Sequence, residues 1–291
     1  MILQSASLFY TPDKTIGTID SSALIINAMT TQKSSPAKGV YILPNLITTA
    51  ALFSGFYAII AAMNGRFEVA AVAVFIAMIL DGADGRVARW TNTTSEFGAQ
   101  YDSLADLVSF GVAPAVVIYQ WALVHMAVES AAWGKVGWMA AFVYMACGAL
   151  RLARFNVQIE EVDKRYFIGL PSPASAAIMV GMVWFFQDLD VTGRSVQIPA
   201  LIMTIGAGLL MVSNVQYTSF KDFDYRSKVP YLAILAVVLA FALAAIDPPK
   251  VLFSVFLIYA LSGPVYWVLR KFGYIKTVPV INMGNDQDDQ S

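Results

Sequence analysis

Four aspartates, Asp81, Asp84, Asp102 and Asp106, are the residues of this sequence whose type and spacing best suit chemistry. They stand in the order Asp81-Gly-Ala-Asp84-Gly85-Arg-Val-Ala88-Arg89, then eight residues, then Gly98, Asp102 and Asp106. Spacings of three and four put the members of each pair on one face of a helix. Both pairs adjoin long apolar runs and so lie at membrane depth, where an isolated charge costs at least about 2.5 kcal/mol. Four ionised carboxylates in one apolar site repel one another, and Arg86 and Arg89 cannot neutralise four, so a further cation has to accompany them. Oxygen-only ligands suit hard divalent ions such as Mg²⁺ or Mn²⁺, and two such ions would clamp a diphosphate and polarise its phosphorus. Gly85 and Gly98 remove side chains where a nucleotide could approach the backbone. Two other readings stand beside this one. The aspartates could be a solvated helix end paired with Arg86 and Arg89, or an ion or proton path through a transporter, although a permeation path does not need glycines and arginines at this spacing.

The remaining chemistry-bearing side chains are few. His125 is the single histidine and Cys147 the single cysteine. His-cluster metal sites, a Ser-His-Asp triad and an intrachain disulfide are therefore out of reach, and carboxylates must carry any catalysis. Cys147, inside an apolar run, reads as a small core residue.

The elements that position the aspartates must be membrane helices. The 291 residues are 58% hydrophobic and only 13% charged, with a mean hydropathy of +0.62, which is too apolar for an ordinary soluble domain. A net charge of -1 argues against a basic nucleic-acid binder, so nucleic acid is not an expected partner. Apolar runs long enough to span a bilayer fall at 45–63, 68–88, 101–125, 136–155, 173–189, 197–216, 230–246 and 250–269. The expected fold is thus an all-α polytopic bundle of about eight spans, with the polar link Thr91 to Glu96 folding the second and third helices into an antiparallel hairpin.

With the N-terminus inside, the outer segments hold only Arg66, Lys135, Arg194 and Lys250, and the other fifteen of the nineteen basic residues fall inside. The positive-inside rule then puts both termini, and any site near Arg89 and Arg151, in the cytoplasm. The expected organisation is a cytoplasmic tail (1–38), a catalytic membrane core of six spans (39–220), a loop and two structural spans (221–272) and a C-terminal tail (273–291). The inner loop from Ser219 to Lys228 is expected at the lipid headgroups, and the acidic end from Asn282 to Ser291 is expected to lack order.

The motif D-x-x-D-G-x-x-A-R, eight residues, G-x-x-x-D-x-x-x-D, carried by Asp81, Asp84, Gly85, Ala88, Arg89, Gly98, Asp102 and Asp106 without a gap, resembles the signature of the CDP-alcohol phosphatidyltransferase family. That resemblance implies an enzyme in which an alcohol attacks the lipid-side phosphorus of CDP-diacylglycerol and CMP leaves. It implies that Asp81, Asp84 and Asp102 ligate one divalent ion, that Asp81, Asp102 and Asp106 ligate or face a second, and that Asp106 is the general base. Gly85, Ala88 and Gly98 would shape the cytidine pocket, with Arg89 near the phosphates. Asn45 and Thr48 in Pro44-Asn45-x-x-Thr48 match a weaker family element that faces the nucleotide; an ordinary capped helix start explains them equally. A homodimer in the cytoplasmic membrane of a prokaryote is also implied.

The acceptor must be read elsewhere. Ser109-Phe110-Gly111 with Ala113-Pro114, Arg151-Leu-Ala-Arg154-Phe155-Asn156, and Phe167-Ile-Gly169-Leu170-Pro171-Ser172-Pro173 resemble the membrane-integral bacterial members that use L-serine, which would give phosphatidylserine and CMP. Serine offers a carboxylate that Arg151, Arg154 and Asn156 could clamp. The same arginines could grip the CDP-lipid diphosphate or simply anchor in lipid headgroups. The Gly169 to Pro173 turn would bring a helix N-terminus to the site, or is a plain loop-to-helix boundary. Transfer to glycerol 3-phosphate, an inositol phosphate or choline is the alternative within the family.

Overall fold

The computed structural model describes residues 42–91, 93, 95–157, 166–218, 242 and 245–272, all within the compact unit Lys38–Ser291. The expected tail 1–38, the loop from Ser219 to Lys228, most of the span at 230–246 and the C-terminal tail lie outside the described residues.

The chain runs through α1 (Ile42–Met63), α2 (Phe67–Trp90) and α3 (Glu96–Asp106), which continues as a π-helical turn (Leu107–Val112) into α4 (Ala113–Trp121). A 3₁₀ segment (Leu123–Val128) leads to α5 (Ala131–Val157), the short strand β1 (Tyr166–Ile168) and α6 (Ser172–Asp188). After a second 3₁₀ turn (Gly193–Val196) come α7 (Gln197–Val212), β2 (Gln216–Thr218) and α8 (Pro248–Lys271). Among the described residues five segments are long and apolar enough to cross a membrane, against eight spans expected from hydropathy. Two more expected spans are helices: α2, which carries Glu68, Asp81, Asp84, Arg86 and Arg89, and α6, which has 17 residues. The third span starts at Glu96 rather than at 101, because Ser95 caps it and accepts the Gly98 N–H at 3.0 Å.

Small residues set the closest packing. Ala58, Ala61 and Ala62 of α1 and Ala70, Ala71, Ala73 and Ala77 of α2 are all buried, which lets these helices lie side by side as small residues do in membrane bundles. The tight Asn64-Gly65 turn joins them, with Gly65 at φ 72°. The Ser54 hydroxyl donates to the Ala73 carbonyl at 2.7 Å. Helix α6 is the central post, with every residue from Ala174 to Val183 buried, and it packs against α2, α4, α7 and α8. At its far end Lys250 of α8 pairs with Asp188 at 3.2 Å. Outward faces carry large apolar side chains in the open, among them Phe53, Ile79, Ile202 and Ile258, as expected of a surface that meets lipid rather than water.

One element is not expected from an all-helical reading. Strands β1 and β2 pair antiparallel, with Phe167 opposite Tyr217. Three residues per strand are too short to show a period-two pattern in the sequence.

Candidate active site

Helix α1 is the common wall of the site. It packs against both α2 and α3, while those two share few close backbone approaches of their own. The hairpin therefore closes against α1 and leaves room between its arms. Across that room Asp81 of α2 and Asp102 and Asp106 of α3 each present a carboxylate oxygen, and the three oxygens lie within 4.8 Å of one another. The carboxyl groups of Asp81 and Asp106 are within hydrogen-bonding reach. Asp84, one helical turn beyond Asp81, turns to α1, where the Thr48 hydroxyl donates to its Oδ2 at 2.6 Å. Both residues are buried, Asp84 to 4% and Thr48 to 5% exposure.

These residues fit a divalent cation. The donors are all oxygen, Asp102 Oδ1 is buried with no hydrogen-bond partner, and among the described residues no lysine or arginine forms an ion pair with any of the four aspartates. Arg86 and Arg89, which a paired-charge reading requires as partners, are exposed. A Cβ added to Gly85 would meet nothing within 4 Å, so open space adjoins the backbone there; at Gly98 it would stand 3.1 Å from Ser95 Oγ and 3.5 Å from Asn45 Oδ1. Ala88 is half-buried on the same stretch of α2.

The π-helical turn begins immediately after Asp106. It inserts an extra residue into the turn, a feature that recurs at functional sites, and it is pinned on two sides. Ser109 Oγ donates to the Ala51 carbonyl of α1 at 3.3 Å, and the Tyr144 hydroxyl of α5 donates to the Phe110 carbonyl at 3.0 Å. Gly55 makes the first contact possible, since a Cβ there would sit 2.7 Å from Ser109 Cα.

The two arginines of α5 diverge. Arg151 Nη1 donates to Ser172 Oγ at 2.5 Å, at the first residue of α6. Its charge interacts with Asp106, and its buried Nε has no hydrogen-bond partner. Arg154 instead donates from Nη2 to Asn214 Oδ1 at 2.9 Å. Asn156 turns to α3, where its Nδ2 donates to Ser103 Oγ at 3.1 Å and Ser103 donates back to its Oδ1 at 3.3 Å. Thus Arg151, Arg154 and Asn156 do not converge on one point.

Ser103 and Tyr101 hold no fixed position in the sequence motifs, yet each, like Ser172, orders the site. Tyr101 and Thr49 hydroxyls meet at 2.9 Å, tying α3 to α1. Ser103 is foreshadowed only by its place beside Asp102; Ser172 stands inside the Gly169 to Pro173 turn. That turn does bring the α6 N-terminus to Arg151, and its Gly169 has φ 79°.

A helical membrane bundle with a half-buried oxygen-only cluster at the end of its second span defines a membrane-embedded protein able to hold a divalent cation. The model of the family "CDP-alcohol phosphatidyltransferase" matches residues 41–262, and the chain belongs to that family. It is similar to the CDP-diacylglycerol–serine O-phosphatidyltransferase of Helicobacter pylori (strain J99), with 36% identity over 234 residues, 80% of this chain and 94% of the relative. The protein of the same name from Methanocaldococcus jannaschii is 35% identical over 195 residues, 67% of this chain and 82% of the relative. That from Bacillus subtilis is 32% identical over 179 residues, 62% and 91% respectively.

Proposed function

We propose that this chain transfers the phosphatidyl group of CDP-diacylglycerol to the hydroxyl of L-serine, giving phosphatidylserine and CMP. The observation that carries the reading is the convergence of Asp81, Asp102 and Asp106 within 4.8 Å, at the motif positions of a family whose serine-using members align with most of this chain.

Asp81, Asp84, Asp102 and Asp106 would hold two divalent ions, Mg²⁺ or Mn²⁺. When bound, such ions neutralise the carboxylates, polarise the phosphoryl oxygens and stabilise the leaving phosphate. The chain's own residues do the rest. Asp106 takes the proton of the serine hydroxyl, whose oxygen forms the new bond to the lipid-side phosphorus as the bond to CMP breaks. No histidine or cysteine stands at the aspartates to form a phosphatidyl-enzyme, which favours direct attack. Thr48 holds Asp84 in place. Asn45, Gly85, Ala88 and Gly98 border the nucleotide, and Arg89, exposed at the end of α2, reaches the phosphates from the water side.

Arg151, with a buried Nε–H unspent and its Nη1 on Ser172, is the group we assign to the serine carboxylate. Arg154 and Asn156 support this pocket at one remove, through Asn214 and Ser103. Residues 39–220 form the catalytic core, against which α8 packs through α6. The distribution of basic residues supports a cytoplasmic active site and cytoplasmic termini in a prokaryotic inner membrane, with the protein acting as a homodimer.

The test is purified protein with CDP-diacylglycerol, Mn²⁺ or Mg²⁺ and a panel of labelled alcohols. CMP release with serine above all other acceptors is expected. Release with glycerol 3-phosphate, an inositol phosphate or choline but not serine would overturn the acceptor, and no release with any alcohol would overturn the reading.

A further inference from the structure

A second site stands away from the aspartates, between the last turn of α8 and the chain that leads from α7 into β2. It is a cleft of about 420 Å³ lined by Asn214, Gln216, Tyr266, Trp267, Arg270 and Lys271, within the size range of small-molecule sites. None of these residues belongs to the carboxylate cluster, and only Asn214 touches a group assigned to the serine pocket, through Arg154.

Its chemistry is one-sided. Arg270 and Lys271 bring two positive charges, and no carboxylate is among the lining residues. Each cation is held by a neutral partner. Arg270 Nη1 donates to Gln216 Oε1 at 3.1 Å, and Lys271 Nζ stands 5.2 Å from the centre of the Trp267 ring. Neither contact neutralises charge, and among the described residues no carboxylate pairs with either cation, so both can meet an anion. Asn214 Oδ1 is already occupied by Arg154, which leaves its amide N–H groups as donors toward the cleft. Two basic side chains also outweigh the negative end of the α8 dipole, which alone would repel an anion.

The location narrows the ligand. Helix α8 is long and apolar enough to span a membrane, and Arg270 and Lys271 close it, so the cleft opens at the level where a bilayer meets water. Tyr266 and Trp267 are 39% and 51% exposed, as suits aromatic side chains with one edge in lipid.

We propose that this cleft is a binding site for a phosphate group, supplied by the headgroup of an anionic membrane phospholipid. Lys271 and Arg270 take the phosphate oxygens, Arg270 offering its remaining N–H groups, while Tyr266 and Trp267 flank the glycerol and upper acyl region. Arg270 and Lys271, which carry its charge, take no part in the proposed transfer, and the site does not rest on the identity of the acceptor.

The experiment uses the full chain in phosphatidylcholine nanodiscs with increasing phosphatidylglycerol, bound lipid being counted by native mass spectrometry after gentle release. The wild-type chain is expected to retain phosphatidylglycerol in preference to phosphatidylcholine. Removing both charges in R270Q/K271Q should weaken that retention by about tenfold or more, with each single variant intermediate. Excess inorganic phosphate identifies the source: no displacement assigns the site to the intact lipid, and full displacement assigns it to the phosphate group alone. CMP release at the wild-type rate shows that the variants are folded. Undiminished preference for phosphatidylglycerol in the folded R270Q, K271Q and double variants would overturn the proposal.

Discussion

The Thr48 hydroxyl reaches Asp84 Oδ2 at 2.6 Å across 36 positions of sequence, joining the first turns of α1 to the last turns of α2. A buried carboxylate with a short donor is held in one rotamer, so this bond fixes where Asp84 points. Hydrogen bonds to charged groups contribute about 1.5–3 kcal/mol. Thr48→Val, which keeps the shape and removes the donor, should lower CMP release by about tenfold or more and raise the Mn²⁺ concentration needed for half-maximal rate. Thr48→Ser should restore both. A Thr48→Val enzyme with unchanged metal dependence would mean that Asp84 does not need this contact.

The three converging carboxylates give a direct test of metal dependence. Chelation should abolish CMP release, and added Mn²⁺ should restore it. Independently of turnover, Mn²⁺ should raise the melting temperature of the purified protein, since a ligand that binds only the folded state stabilises it. That shift should vanish in Asp81→Asn/Asp102→Asn. Asp106→Asn should cost about 10²–10⁴ in rate as a lost base; near wild-type transfer would remove Asp106 from that role.

Arg151 and Arg154 should separate kinetically. Arg151→Lys keeps the charge but loses the fork that serves Ser172 and the unspent Nε–H, so the KM for serine should rise about tenfold or more. Ser172→Ala should follow in the same direction, more weakly. Arg154→Gln should leave that KM within about threefold, since its guanidinium engages Asn214. Equal effects of the two arginines on KM would count against Arg151 as the specific partner of the serine carboxylate.

Gly169 tests the turn that delivers α6. Its φ is 79°, a region costly for side chains, and a Cβ there would collide with the Met211 carbonyl oxygen. Gly169→Ala should destabilise the fold by about 1–3 kcal/mol, read as a lower melting temperature. Gly206→Ala, in α7 with nothing within 4 Å of the added Cβ, should be neutral or slightly stabilising.

Tyr217 of β2 anchors α8: its hydroxyl donates to the Ala260 carbonyl at 3.0 Å, and its ring packs where Gly263 has no side chain. Burial, with Tyr259 beside it, pushes this phenol up to about 12, against about 10 for a free tyrosine. A raised value favours the protonated form in the folded protein. Its contribution is complete below about pH 10 and is lost as pH climbs toward 12. Melting curves should show an alkaline loss of stability in that window that Tyr217→Phe lacks, while the variant is less stable near neutrality by about 1 kcal/mol.

The sequence alone was enough to determine the membrane class, the helices near Asp81 to Asp106 and the carboxylates that could hold a cation, because these follow from local quantities: run length, hydropathy, and spacings of three and four on a helix. An eight-position motif with fixed gaps needs no knowledge of distant contacts. The tertiary structure decided what depends on the relative rotation and depth of helices far apart in the chain. It set Asp84 against Thr48 and apart from the Asp81, Asp102 and Asp106 trio. It parted Arg151 from Arg154, sending one to Ser172 and the other to Asn214, although their spacing suggested a joint clamp. It also placed the π turn after Asp106, the β1–β2 ribbon and the cleft beside α8, none of which has a periodic signature. Helix periodicity tells which side chains share a face; only packing tells what that face meets.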